Sequence, residues 1–401
     1  MKAKPSASTF LGLECASVKG NVMARELYIG VMSGTSLDGV DTALVAFEAG
    51  NETAAEQASR PELLATDAFP MPDTLKSALL DVCMGQATNL KQIGLLDHQL
   101  GHLFADAVNQ LLEKAGIEAS AVTAVGNHGQ TVFHQPDGDS PFTIQLGDAN
   151  IVVAKTGITT VADFRRKDMA LGGQGAPLVP AFHKGLFAQQ ESTTVVLNIG
   201  GIANISVLRP GQPVIGYDTG PGNMLMDAWV YRHLGHKYDE GGEFAASGTV
   251  NPRLLSQLMV DPYVSRSYPK STGREHYNLP WLEGQLNGLA ETVSEPDVQA
   301  TLLQFTAQTI ADQVARFVQG RQPQLLVCGG GGNNPLLMQR LAELLPDWSV
   351  ANTRDAGIDP DYMEAMAFAW LARQRIHGLP SNAPEVTGAS GLASLGVIYP
   401  V

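Results

Sequence analysis

The feature that most constrains this chain is an order of segments that is used twice. β-Rich runs at 27–32, 42–47 and 63–69 are followed by a helical pattern over 89–115, whose apolar residues recur every three or four positions, and by further β-rich runs at 121–126 and 159–162. After a polar break at 189–192 the order restarts, with β-rich runs at 194–199, 203–208 and 214–217 and a helical pattern at 223–234. Each copy opens as strand, glycine-bearing turn, strand: Tyr28-Ile29-Gly30-Val31-Met32-Ser33-Gly34-Thr35-Ser36 in the first and Leu197-Asn198-Ile199-Gly200-Gly201-Ile202-Ala203-Asn204 in the second. Strands alternating with helices predict an α/β fold whose sheets are covered by helices. The length agrees with two units, because 401 residues with 44% hydrophobic content exceed what one core usually serves. The division expected is a unit over 26–190 and a second over 191–401. Residues 1–25 are small, polar and aperiodic, and are expected to form a disordered tail, with Met23 an alternative start.

Composition narrows the partners. A net charge of −14 disfavours the clustered basic surface that nucleic-acid backbones require, so a small molecule is the expected partner. Three scattered cysteines, Cys15, Cys83 and Cys328, offer neither a disulfide framework nor a metal knuckle, which fits a reducing compartment. No apolar run reaches the roughly 18 residues that span a bilayer, and the start lacks an export signal, so a cytoplasmic protein without membrane contact is expected. His98 and His102 share a helix face, but no third metal ligand accompanies them, and ordinary surface or packing histidines are the better reading.

Glycine-rich turns between strands bring backbone N–H groups close enough together to hold an oxyanion. Alone, either turn reads equally as a tight hairpin. The first adds the hydroxyls of Ser33, Thr35 and Ser36 and the carboxylates of Asp38 and Asp41, which favours a polyphosphate with Mg²⁺. A third run, Cys328-Gly329-Gly330-Gly331-Gly332-Asn333-Asn334-Pro335, lies between an apolar strand and a helix starting near Pro335, and suits the approach of a nucleotide base or ribose. It is neither a Walker loop nor a dinucleotide fingerprint, so the nucleotide is expected in a cleft between the two units.

Two duplicated domains with hairpin phosphate loops and a late glycine-rich loop resemble the actin, sugar kinase and heat-shock ATPase superfamily. The wording is narrower still. The segments Gly30 to Asp41, His128-Gly129-Gln130-Thr131, Ala162-Asp163-Phe164-Arg165-Arg166, Gly172 to Pro180, Asp218-Thr219-Gly220-Pro221-Gly222-Asn223, Lys270-Ser271-Thr272-Gly273-Arg274-Glu275 and Met363 to Trp370 resemble the anhydro-N-acetylmuramic acid kinase family, from about Glu26 to Val401. The resemblance implies two duplicated actin-like, ribonuclease H-like domains with a nucleotide cleft between them. It also implies a double reaction with ATP and Mg²⁺: water opens the 1,6-anhydro ring of the amino sugar while O6 takes the γ-phosphoryl group. The product is N-acetylmuramic acid 6-phosphate, an intermediate of cell-wall recycling.

The resemblance places the base at Asp218, which the residues alone read equally well as a turn or cap. It places the nucleotide on Gly34, Thr35, Ser36, Leu37, Asp38, Gly39, Val40, Asp41, Gly200, Gly201, Asn204, Gly329, Gly330, Gly331, Gly332 and Asn333. The sugar is expected on His128, Gln130, Asp163, Arg165 and Glu364. Where many superfamily members carry an Asp two residues before the Gly-Thr of the first loop, this chain has Met32, so Asp38 is the first choice to organise Mg²⁺. The assembly state stays open, with a homodimer among the options. A nucleotide-driven clamp would need an appendage that this chain lacks, and a simple sugar kinase would need no hydrolytic water.

Overall fold

The computed structural model describes residues 25–34, 37, 39–48, 61–274 and 276–401. The expected tail therefore lies outside the described residues, apart from Arg25, which opens the first strand. Thr35, Ser36, Asp38 and Glu275 lie outside them too.

The first sheet begins with β1 (Arg25–Met32), β2 (Gly39–Glu48) and β3 (Glu62–Pro70), an antiparallel meander. β4 (Val122–Asn127) runs parallel to β1, and β7 (Thr160–Ala162) runs parallel to β4. Between them β5 (Gln130–Gln135) and β6 (Phe142–Leu146) form a separate hairpin that the sequence pattern did not predict. Half of β5 is exposed, Phe133, His134 and Gln135 lying outside, so it lacks the buried apolar run of a core strand.

The second sheet repeats the plan. β8 (Thr194–Ile199), β9 (Ile202–Leu208) and β10 (Ile215–Pro221) form the meander, and β11 (Gln324–Cys328) and β12 (Ser349–Asn352) follow in parallel. In both sheets the order is third, second, first, fourth, fifth. This is the duplicated actin-like arrangement, present in one chain as two sheets of the same topology.

Helices cover each sheet for reasons visible in the residues. The Leu90–Ala115 helix starts where the Asn89 side chain accepts from the Gln92 N–H and stops at Gly116, left-handed at φ 65°. Its inward stripe of Leu96, Leu100, Phe104, Val108 and Leu111 packs on β1, β2 and β4 residues. The Glu295–Val314 helix is buried nearly all round against the second sheet, and its Thr306 Oγ donates to the Gly222 carbonyl at 3.0 Å, bracing the turn after β10.

The chain does not stay on one side of residue 190. The Met363–Ile376 helix seats on β1 and β4, and the last strand, β13 (Val397–Tyr399), pairs antiparallel with β7 in the first sheet. The helix can lie this close because a Cβ at Gly30 would collide with the Ala365 carbonyl and one at Gly126 with the Phe368 carbonyl. Its other side joins a core containing Val196, Leu208, Leu326 and Cys328 of the second sheet, so one helix ties the two sheets together.

Candidate active site

On the first-sheet side, polar groups at the ends of β1 and β4 bond to one another. Ser33 Oγ donates to Gln130 Oε1 at 2.6 Å, and Gln130 Nε2 donates to the Gly34 and Thr131 carbonyls. Gln130, expected on the sugar, is buried, and its amide holds the first glycine loop. His128 Nδ1 faces the Ser33 carbonyl at 3.3 Å, which can only accept, so the proton sits on Nδ1. Nε2 is then bare and accepts from Arg165 Nη2 at 2.8 Å. Burial, and next the Arg165 charge, push the His128 pKa down to about 3, so the ring stays neutral and orients the guanidinium.

Arg165 also donates to the Gly175 carbonyl at 2.8 Å, and burial lowers its pKa to about 10. Glu364, in the first turn of the Met363–Ile376 helix, reaches solvent while protein closes round it. That desolvation raises its pKa, Arg165 opposes the rise, and Asp41 adds to it. Glu364 also bears on Cys328 at the end of β11, whose thiol is pushed up to about 12 chiefly by burial. The carboxylate of the tying helix thus stands where the ends of both sheets meet. Asp163 follows β7 in the left-handed region at φ 55°, 3.5 Å from Arg166, and burial raises its pKa.

On the second-sheet side, Asp218 lies in β10 beside a register shift. Its Oδ2 accepts from Ser271 Oγ at 2.8 Å and from the Thr272 N–H at 3.0 Å, while its backbone carbonyl accepts from Tyr263 Oη at 2.8 Å. Lys270, next in the chain to Ser271, is buried, donates to the Tyr263 and Val264 carbonyls and sits over the Tyr263 ring. Burial pushes its pKa down to about 8, helped by Arg316 and Arg266 and opposed by Asp218. This lysine fixes the segment that fixes Asp218. Sequence reasoning quoted the segment but gave it no task; the signal was its run of donors.

Cross-strand partners place Asp218 opposite Asn204, Asn204 opposite Asn198, and Asn198 opposite Cys328. Such partners project to the same face, so Asp218 shares a face with the thiol that senses Glu364, three strand spacings or ~14 Å away.

The nucleotide residues divide by what surrounds them. Leu37 and Val40 are fully enclosed in the first core, so their side chains anchor the loop and leave only its backbone for a ligand. Gly39, Gly329 and Gly331 are glycines because a Cβ would strike Phe69, Asn198 and Ile199 respectively. Gly200, Gly201 and Gly330 are different: a Cβ there would meet nothing closer than 3.7 Å, and none needs a positive φ. Their missing side chains leave room for something outside the protein, which fits a polyphosphate and its ribose. The Gly200 and Gly201 carbonyls accept from the Asn223 and Gly222 N–H groups, tying this loop to the turn after Asp218. Asn333 is exposed beside them. Asp41, near the start of β2, lies opposite Met32 and is the described carboxylate nearest in sequence to Asp38. Among the described residues no group of three His, Cys, Asp or Glu is placed to hold a metal by itself. A metal here would have to share its ligands with phosphate oxygens, as Mg²⁺ does.

The sequence pattern of anhydro-N-acetylmuramic acid kinases matches residues 26–401. The chain belongs to the anhydro-N-acetylmuramic acid kinase family. Kinases of that name from Vibrio parahaemolyticus and Photobacterium profundum are 67% identical over 375 residues and 59% identical over 384 residues, covering 94% of this chain and 98% and 100% of theirs. Among solved structures, the chain is similar to component A of (R)-2-hydroxyglutaryl-CoA dehydratase from Acidaminococcus fermentans (11% identity, TM-score 0.43, 86% of this chain and 96% of that one). It is also similar to a ROK family glucokinase from Streptomyces griseus in complex with glucose and AMPPNP (14%, 0.36, 87% and 99%). Family members are phosphotransferases with an alcohol acceptor, and no described helix here is long and apolar enough to cross a membrane.

Proposed function

We propose that this kinase opens 1,6-anhydro-N-acetylmuramic acid with water and phosphorylates O6 with ATP, giving N-acetylmuramic acid 6-phosphate and ADP. The observation that carries the reading is Asp218: a carboxylate oriented by two donors, beside the register shift of β10, joined through Asn204 and the Gly222 turn to the open glycine loop.

Asp218 takes a proton from water as the water oxygen attacks C1. The C1–O6 bond breaks, O6 attacks the γ-phosphorus, and the bond from phosphorus to the bridging oxygen of ADP breaks. The 1,6-bridge has no free O6 hydroxyl, so its oxygen becomes a nucleophile only as the ring opens, and one base serves both events. Glu364 and Arg165 hold the sugar, and His128 and Asp163 complete that wall. Gly200, Gly201, Gly330 and the backbone of 34–41 cradle the nucleotide. Mg²⁺ supplies charge neutralisation at the phosphates when bound, with Asp38 and Asp41 the carboxylates assigned near it. Consumption of ATP and of a cell-wall amino sugar places the reaction in the cytoplasm, in cell-wall recycling.

Asp218→Asn tests the assignment. Sugar and ATP should still bind by calorimetry, while ring opening and phosphorylation fall together by about a hundredfold or more, the usual weight of a general base. Near-normal turnover would remove Asp218 from this role.

A further inference from the structure

Asp168, in the short Arg166–Ala170 helix, is completely buried and has no part in the chemistry described above. Its carboxylate collects three donors. Oδ2 accepts from the Gly175 N–H at 2.9 Å, and Oδ1 accepts from Asn382 Nδ2 at 3.0 Å and from Thr387 Oγ1 at 2.9 Å. The Asn382 amide is oriented from its other end, where its Oδ1 accepts from the Ala393 N–H at 2.7 Å, so it turns a donor toward Asp168. The described partners of Asp168 include no cation. A buried carboxylate is destabilising unless it is bonded on all sides, and a fold that needed only to fill this space would be more stable with an apolar side chain.

What the carboxylate holds explains the choice. Gly175, left-handed at φ 67°, gives its N–H to Asp168 while its carbonyl accepts from Arg165 Nη1 at 2.8 Å, so a single residue links Asp168 to the guanidinium assigned to the sugar. Asn382 and Thr387 lie in the segment after the Met363–Ile376 helix, and the Thr387 carbonyl accepts from the Gln174 N–H at 2.8 Å. The same segment rests on the second sheet. Glu385 Oε1 accepts from the Val214 N–H at 3.2 Å just before β10, and Val386 lies where a Cβ at Gly216 of β10 would press on it. β10 carries Asp218. Resting on the sugar reading above, we propose that Asp168 is a positioning residue for the reaction, one that acts through Gly175 to hold Arg165 in register with the strand of Asp218.

The test is a double-mutant cycle read in turnover of 1,6-anhydro-N-acetylmuramic acid. Asp168→Asn keeps the shape but turns an N–H toward groups that are themselves donors. It should lower kcat/KM for the sugar by about tenfold, as displaced geometry does, while KM for ATP stays within about twofold. In an Arg165→Gln background the same substitution should change kcat/KM by less than about twofold, because the group it positions is already gone. Thr387→Val removes one donor and leaves the carboxylate; it should repeat the pattern with a loss of about threefold, and it carries the test should Asp168→Asn fail to fold. A loss of full size in the Arg165→Gln background, an equal loss in KM for ATP, or no loss from either substitution would overturn the positioning role while leaving the sugar reading intact. Failure of the unaltered protein to turn over the anhydro sugar would instead overturn the sugar reading and this proposal with it.

Discussion

On the first-sheet side Ser33, His128, Gln130 and Arg165 satisfy one another before any ligand arrives, whereas on the second-sheet side Gly200, Gly201 and Gly330 border open space. The first is a wall whose shape and charge are set in advance, which suits the rigid bicyclic sugar proposed as substrate. The second is a backbone cradle, as suits phosphates that differ little among nucleotides. The difference teaches that glycine has two meanings here. At Gly30 and Gly126 it admits the helix that carries Glu364; at Gly200, Gly201 and Gly330 it leaves open the space that the proposed nucleotide would fill.

Breaking the preset wall should have the largest effect. Arg165→Gln leaves the His128 Nε2 without its donor and Glu364 without the charge that opposes its burial, so kcat/KM for the sugar should fall by about 10², as misplaced catalytic geometry typically does. The sign of the pH effect follows. Arg165 holds the Glu364 pKa down against desolvation, so its loss raises that pKa further, and the acidic limb of the pH–rate profile moves to higher pH. An unmoved limb would show that Glu364 does not control it.

The two meanings of glycine separate under the same substitution. Gly30→Ala pushes on the Ala365 carbonyl and should lower stability by about 1–3 kcal/mol, the usual range for overpacking, measured as a fall in Tm. Gly201→Ala meets only Met224 Cβ at 3.7 Å, so stability should change by no more than about 0.5 kcal/mol. ATP affinity should nevertheless fall severalfold in calorimetry. A stability loss at Gly201 with normal ATP binding would erase the distinction.

Local signals made much of this legible. The period of 89–115, its Asn89 cap and the strand runs on either side of each glycine turn specified their elements, because amphipathic pattern and capping act within a few residues. The return of the Met363–Ile376 helix and β13 to the first sheet was not legible, since it depends on two glycines some 240 to 340 residues away in sequence, by the numbering of Gly30, Gly126, Ala365 and Phe368. At the site, Asp218 and Arg165 stood out through the family's wording, but the fixing of Asp218 by Ser271 and Thr272, and the joining of Gly175, Asn382 and Thr387 by Asp168, are contacts that only the folded chain creates. Gln130 was marked by its motif, but its bonds to the first glycine loop are again contacts that only the folded chain creates.

The central claim is that ring opening and phosphoryl transfer are one event, and the mass of the product tests it most directly. Incubated with ATP, Mg²⁺ and 1,6-anhydro-N-acetylmuramic acid, the protein should yield a sugar heavier by one water and one phosphoryl group, with one ADP formed for each. A phosphorylated product that retains the anhydro bridge, or a hydrolysed sugar without phosphate, would contradict the account.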